Sequence, residues 1–203
     1  MLNIFYIDWD DTLFPTNVYN TINMYNEIKK DTFKYNLIIL DEKINTFLNN
    51  LNKYGKVFIV TNANLLWIMK SLNDLPKTKK FIKSNDIQII SARDKYKNNN
   101  SFFKWKILAF RDILNNIDLN SNNNEMINII SFGDAKYEYN GLLYLDVYLK
   151  NKNLNNMYLL KSINFISKPS FEQILNQIDT LNKNISEIIN SKNYIDLNFT
   201  SLN

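Results

Sequence analysis

The chain contains no cysteine and no histidine, and only three glycines and three prolines among its 203 residues. Without cysteine or histidine there is no Ser-His-Asp or Cys-His nucleophile system, no zinc site of Cys/His type and no disulfide framework. Catalysis is therefore restricted to carboxylates, lysine, hydroxyls, backbone amides or a hard, oxygen-preferring metal ion. That restriction favours phosphate chemistry over acyl transfer. No apolar run approaches the ~20 residues needed to span a bilayer. Asp8 and Asp10 interrupt the only apolar stretch near the N-terminus, so no secretory signal is expected. The expected location is intracellular, in the cytoplasm, with no membrane partner.

What is present fits one packed domain. The length is enough to bury a substantial core. Asparagine is very abundant at 37 residues, but 45% apolar and 14% aromatic residues argue for a globule, and the asparagine excess reads as coding bias. A net charge of +4 and a pI near 9.0 are too weak to imply nucleic-acid binding by themselves. Two basic stretches stand out. Lys77, Lys79, Lys80 and Lys83 form one; Arg93, Lys95, Lys97, Lys104 and Lys106 form the other. The second is interleaved with Tyr96, Phe102, Phe103 and Trp105. A groove for a phosphorylated nucleic-acid end has this composition, and so does a solvated lysine-rich loop beside a hydrophobic helix.

Four short apolar runs each end at polar residues: Ile4–Ile7 at Asp8, Val57–Val60 at Thr61, Ile87–Ile90 at Ser91, and Ile127–Phe132 at Gly133-Asp134. Runs of this length without clean alternation suit parallel strands buried on both faces. Met157–Leu160 is a fifth candidate. Helical segments lie between them. Residues 18–30 and 41–54 are two, Gly55 standing where a helix C-cap hands over to a strand. Asn64–Asn73, Thr78–Lys83 and Ser101–Ile117 are others. Near the C-terminus Pro169-Ser170 opens a helix, with Gln173 completing a capping box. Its apolar residues Phe171, Ile174, Leu175, Ile178, Leu181, Ile185 and Ile188 recur at helical spacing, as a core face or a dimerisation face. Residues 1–191 are expected to form the domain and 192–203 a tail.

Strands alternating with helices predict an α/β fold with right-handed crossovers and a mainly parallel sheet. In such sheets ligands sit beyond the carboxyl ends of the strands. The residues ending the apolar runs should therefore converge: Asp8, Asp10, Thr61 and Asp134, with a lysine. In extended chain Asp8 and Asp10 point to one side and Trp9 to the other. Clustered carboxylates repel one another, so a divalent cation is the expected partner. Magnesium suits one or two carboxylates, waters and phosphate oxygens. A threonine hydroxyl and a lysine ammonium would hold the phosphate.

These residues resemble signatures of the haloacid-dehalogenase (HAD) superfamily. FYIDWDDTL at 5–13 corresponds to its DxDxT motif, VFIVTNA at 57–63 to the strand-ending Thr/Ser, Trp105-Lys106 to its lysine, and SFGDAKYE at 131–138 to GDxxxD/E. A eukaryotic HAD-like branch is similar at WDDTL (9–13), TNAN (61–64), SARD (91–94), WKILAF (105–110), GDAKYE (133–138) and KPSFEQILNQ (168–177). The resemblance implies a Rossmann-like three-layer sandwich. It implies a Mg²⁺-dependent phosphatase with Asp8 as nucleophile and Asp10 as general acid and base. The resemblance further implies that the metal would be held by Asp8, Asp10 and Asp134, with Asp10 contributing its main-chain carbonyl. Thr61 and Asn62 would bind phosphate, Lys106 would neutralise charge, and Glu138 would orient the lysine or a metal-bound water. Lys104 competes with Lys106 for the motif position. Asp11 stands where many superfamily members have glycine, and is read as capping the next turn.

The resemblance places cap insertions between Leu13 and Val57 and between Ser91 and Lys106. Neither interval has room for a large cap; about 15–40 leaves at most a minimal helical one. The expected partner is a phosphorylated substrate, small or macromolecular. Alternatives are a phosphatase for nucleic-acid ends or phosphoproteins, and a catalytically silent HAD-like scaffold. The retained Asp10 argues against silence.

Overall fold

The computed structural model describes residues 1–22, 27–98, 100–117, 126–152 and 157–200. Six parallel strands form one sheet in the order β3-β2-β1-β4-β5-β6. They are β1 (Leu2–Ile7), β2 (Gly55–Thr61), β3 (Gln88–Ser91), β4 (Ile127–Gly133), β5 (Tyr158–Asn164) and β6 (Ile195–Asn198). The order reverses at β1, which lies between β2 and β4, so the ends of these three strands meet at a topological switch point.

Helices cover both faces, giving an α/β three-layer sandwich of Rossmann type. On one face lie α1 (Thr16–Ile22), α2 (Glu27–Tyr54), α3 (Leu65–Ser71), α4 (Pro76–Ser84) and α8 (Phe171–Asn190). On the other lie α5 (Ala92–Tyr96), α6 (Trp105–Asn115) and α7 (Lys136–Asn151). Alternation along β1 divides the cores: Phe5 and Ile7 enter the first, Ile4 and Tyr6 the second. No helix among the described residues is long and apolar enough to cross a membrane.

Several elements differ from the sequence expectation, each for a visible reason. The helix before β2 begins at residue 27, because Phe33, Leu37, Leu40, Ile44, Phe47 and Leu51 continue one apolar stripe into the first core. The expected helix 18–30 is instead α1 followed by the start of α2; residues 23–26 lie outside the described ones. Between β1 and β2 the described residues thus hold two helices and no separate cap domain. Gly55 is no left-handed C-cap. It opens β2 directly, and a Cβ there would fall 2.2 Å from the Asn3 carbonyl oxygen on β1. Asn3 Nδ2 itself donates to the Tyr54 carbonyl at 2.8 Å, satisfying the helix end.

The C-terminal half follows its signals more closely. Ser170 and Gln173 make the expected capping box, Ser170 Oγ accepting from Gln173 N at 3.2 Å and Gln173 Oε1 from Ser170 N at 2.8 Å. The apolar face of α8 is buried in the chain's own core, which removes it as a dimerisation face. Residues 195–198, expected as tail, add the sixth strand against β5. The join is fixed from behind by buried Lys161, which donates to the carbonyls of Ile188, Ile189 and Ser191 at 2.7, 2.9 and 2.8 Å.

Candidate active site

A cavity of about 450 Å³ opens beyond the carboxyl ends of β1, β2 and β4. Asp8, Asp10, Asn62, Lys106, Asp134 and Glu138 all line it, so six of the seven expected site residues meet there. The seventh, Thr61, is fully buried behind its wall.

Asp8 continues β1, its amide donating to the Phe132 carbonyl at 2.9 Å, so the sheet fixes its backbone. Trp9 points the opposite way, as alternation requires. It is fully buried in the first core and donates to Ser71 Oγ at 2.9 Å. Burying such a side chain stabilises the turn by roughly 2–3 kcal/mol. Asp11 is left-handed at φ 53, a conformation that glycine adopts at no steric cost and that Asp tolerates better than most residues. Its Oδ1 accepts from Asn17 N at 2.9 Å in the first turn of α1, as the capping expectation has it.

Lys106 lies on α6, 2% exposed, with Nζ 2.6 Å from Asp8 Oδ1 and paired with Glu138 Oε1. Lys104 is exposed on the one-turn helix before α6, so the geometry selects Lys106. Glu138, on the first turn of α7, also accepts from Ala135 N at 3.2 Å. Gly133 makes this possible: a Cβ there would stand 2.2 Å from Glu138 Cγ.

Asp10 is held differently. Its Oδ1 accepts from Thr16 Oγ1 at 2.6 Å and from Trp67 Nε1 at 2.7 Å, and its Oδ2 from Thr61 Oγ1 at 3.1 Å. Thr61 Oγ1 in turn accepts from Ala63 N at 2.9 Å. Thr61, expected to touch phosphate, is therefore engaged with Asp10. Thr16 and Trp67 were not legible as site residues, because spacing does not reveal which acceptor a hydroxyl or an indole N–H will meet.

The charges do not balance. Burial raises the Asp8 carboxyl well above the usual range; Lys106 pulls it back, while Glu138, Asp134 and Asp10 push it further up. Burial likewise pushes Asp134 up to about 7, with Glu138 adding to the rise. Burial disfavours the Lys106 ammonium, yet Asp8 and Glu138 outweigh it and hold the lysine charged. One buried cation thus faces four carboxylates. Among the described residues no three acidic side chains come together as a chelating group. The Asp10 carboxylate is committed to its three donors, which leaves Asp8 and Asp134 as the side chains whose excess charge suits a divalent cation. Asn62 adds a second unmet demand: its amide oxygen and nitrogen are both buried at the cavity without a protein partner.

The rim carries Arg93, Phe102 and Tyr137, the two rings edge to face at 4.8 Å. The basic stripe beside it is partly neutralised. Lys95 pairs with Asp112 at 3.1 Å and Lys97 with Asp94 at 3.9 Å, which weakens it as a track for a polyanion. Comparison with protein-family models, curated proteins and solved structures yields no match.

Proposed function

We propose that the chain is a Mg²⁺-dependent phosphomonoester phosphatase of HAD type, working through an aspartyl-phosphate on Asp8. The observation that carries this reading is the pairing of two differently prepared carboxylates on one strand end. Asp8 is buried against a lysine, and Asp10, two residues on, is held by three neutral donors. Two carboxylates in unlike environments are what a nucleophile and an acid/base partner require.

Lys106 engages Asp8 Oδ1, leaving Oδ2 to attack phosphorus. Glu138 holds the lysine on that oxygen. Asn62 offers an unpaired amide to a phosphoryl oxygen. Asp10 gives a proton to the leaving oxygen, then takes one from the water that releases phosphate. Mg²⁺, held by the carboxylates of Asp8 and Asp134 and the main-chain carbonyl of Asp10, would supply the positive charge that the site's own residues lack.

The test is release of p-nitrophenol from its phosphate ester, with Mg²⁺ and with chelator, in the parent and in Asp8→Asn. Metal-dependent turnover that disappears in Asp8→Asn is expected. Turnover that survives the substitution contradicts the mechanism. Absence of both turnover and Mg²⁺ binding in the parent favours a silent HAD-like binding module.

A further inference from the structure

Asp10 Oδ1 receives two hydrogen bonds, from Thr16 Oγ1 at 2.6 Å and Trp67 Nε1 at 2.7 Å, while Oδ2 receives one, from Thr61 Oγ1 at 3.1 Å. Each carboxyl oxygen offers two lone pairs. Both on Oδ1 are therefore filled, and one remains on Oδ2. We propose that Trp67 is a positioning residue for proton transfer: with Thr16 it saturates Oδ1, so that Asp10 carries and delivers its proton from Oδ2 alone. The proposal rests on the phosphatase reading.

The residue type suits the task. An indole N–H can only donate, so Trp67 cannot take the proton that Asp10 must pass on. A hydroxyl could reorient and accept it. The ring is also prevented from swinging. It meets Phe14 edge-on at 5.9 Å and Tyr19 at 5.5 Å. The helix that carries it is started by Asn64, whose Oδ1 accepts from Trp67 N at 2.8 Å. The chain thus reaches from β2 through α3 to set the rotamer of a carboxylate on the turn after β1.

The proton balance closes around Oδ2. As Asp8 bonds to phosphorus and the phosphorus–ester oxygen bond breaks, the Oδ2 proton passes to that oxygen. Water then returns a proton to Oδ2 while its oxygen bonds phosphorus and the Asp8–phosphorus bond breaks. Asp10 ends as it began.

Phosphoryl transfer to Asp8 from a leaving group that needs no proton should be indifferent to this arrangement, and transfer from one that does should depend on it. The experiment compares kcat/KM, which reports transfer to Asp8 and excludes the later hydrolysis common to both esters, on p-nitrophenyl phosphate and on an alkyl phosphate for the parent, Trp67→Phe and Thr16→Val. Trp67→Phe keeps most of the ring contacts and removes the N–H; Thr16→Val removes the other Oδ1 donor from a different element. Both are first checked for native circular dichroism. The expected result is a loss of about tenfold or more on the alkyl ester, and less than about threefold on the aryl ester, in either folded variant. Equal losses on the two esters, or none, overturn the proposal while leaving the phosphatase reading in place. A parent that turns over neither ester overturns both.

Discussion

Lys106→Met removes the ammonium while keeping most of the aliphatic volume. In the parent that ammonium sits 2.6 Å from Asp8 Oδ1 and against Glu138, with all three side chains buried. The variant leaves two buried carboxylates facing each other without a counter-charge. Removing one partner of a buried ion pair costs about 3–5 kcal/mol. At roughly 2–4 °C per kcal/mol for a domain of this size, the melting temperature should drop by about 6–20 °C at pH 8. The pH dependence has a definite sign. Burial already raises the Asp8 carboxyl, and Lys106 is the neighbour that lowers it, so the substitution raises it further. A carboxyl whose folded pKa lies above its unfolded value is stabilising as the neutral acid, and that stability is lost as pH rises through the folded pKa. The deficit should therefore be smaller at pH 5 than at pH 8. Thermal melts in chelator at both pH values measure it. Adding Glu138→Gln should recover part of the loss without restoring turnover. A melting temperature within about 2 °C of the parent at pH 8 would refute this account of the ion triad.

Other consequences follow from the same geometry. Asp134 is pushed up to about 7 by burial, so in chelator stability should fall as pH rises from the ordinary carboxylate range toward 7. Mg²⁺ should accordingly raise the melting temperature more at pH 8 than at pH 5; equal shifts would contradict the assignment of Asp134 to the cation. Gly133→Ala puts a Cβ 2.2 Å from Glu138 Cγ, and should cost about 1–3 kcal/mol in urea denaturation and abolish turnover. A variant with parental stability and activity would show that Glu138 can move freely. Lys161→Met strips three carbonyls around the end of α8 of their donor, and should destabilise by about 2–4 kcal/mol with the site's Mg²⁺ response intact. An unchanged urea midpoint would mean that water replaces the ammonium there.

The strand ends were legible because each apolar run stops at a polar residue, and a parallel sheet delivers those stops to one edge. Asp8 and Asp134 could be placed from that rule alone, and Lys106 from its motif. Other features depend on three-dimensional contacts that spacing does not carry. The hand-over at Gly55 looks like a C-cap in sequence, but its cause is the close passage of Asn3 on β1. β6 has four mostly exposed residues, Ile195–Asn198, and lacks the apolar run that marks a buried strand. Thr61 ends its strand as expected, yet its hydroxyl meets Asp10 because the turn after Asp8 folds back toward β2. Trp67 reads as one more apolar residue of a short helix, and only the packing reveals that its nitrogen faces a carboxylate.

The most direct test of the central claim is to quench the protein during turnover with borohydride, which reduces an aspartyl-phosphate, and to map the modified residue by peptide mass spectrometry. The account predicts homoserine at position 8 only, dependent on Mg²⁺ and absent from Asp8→Asn. Steady turnover with no modification at position 8, or with modification at another carboxylate, would contradict it.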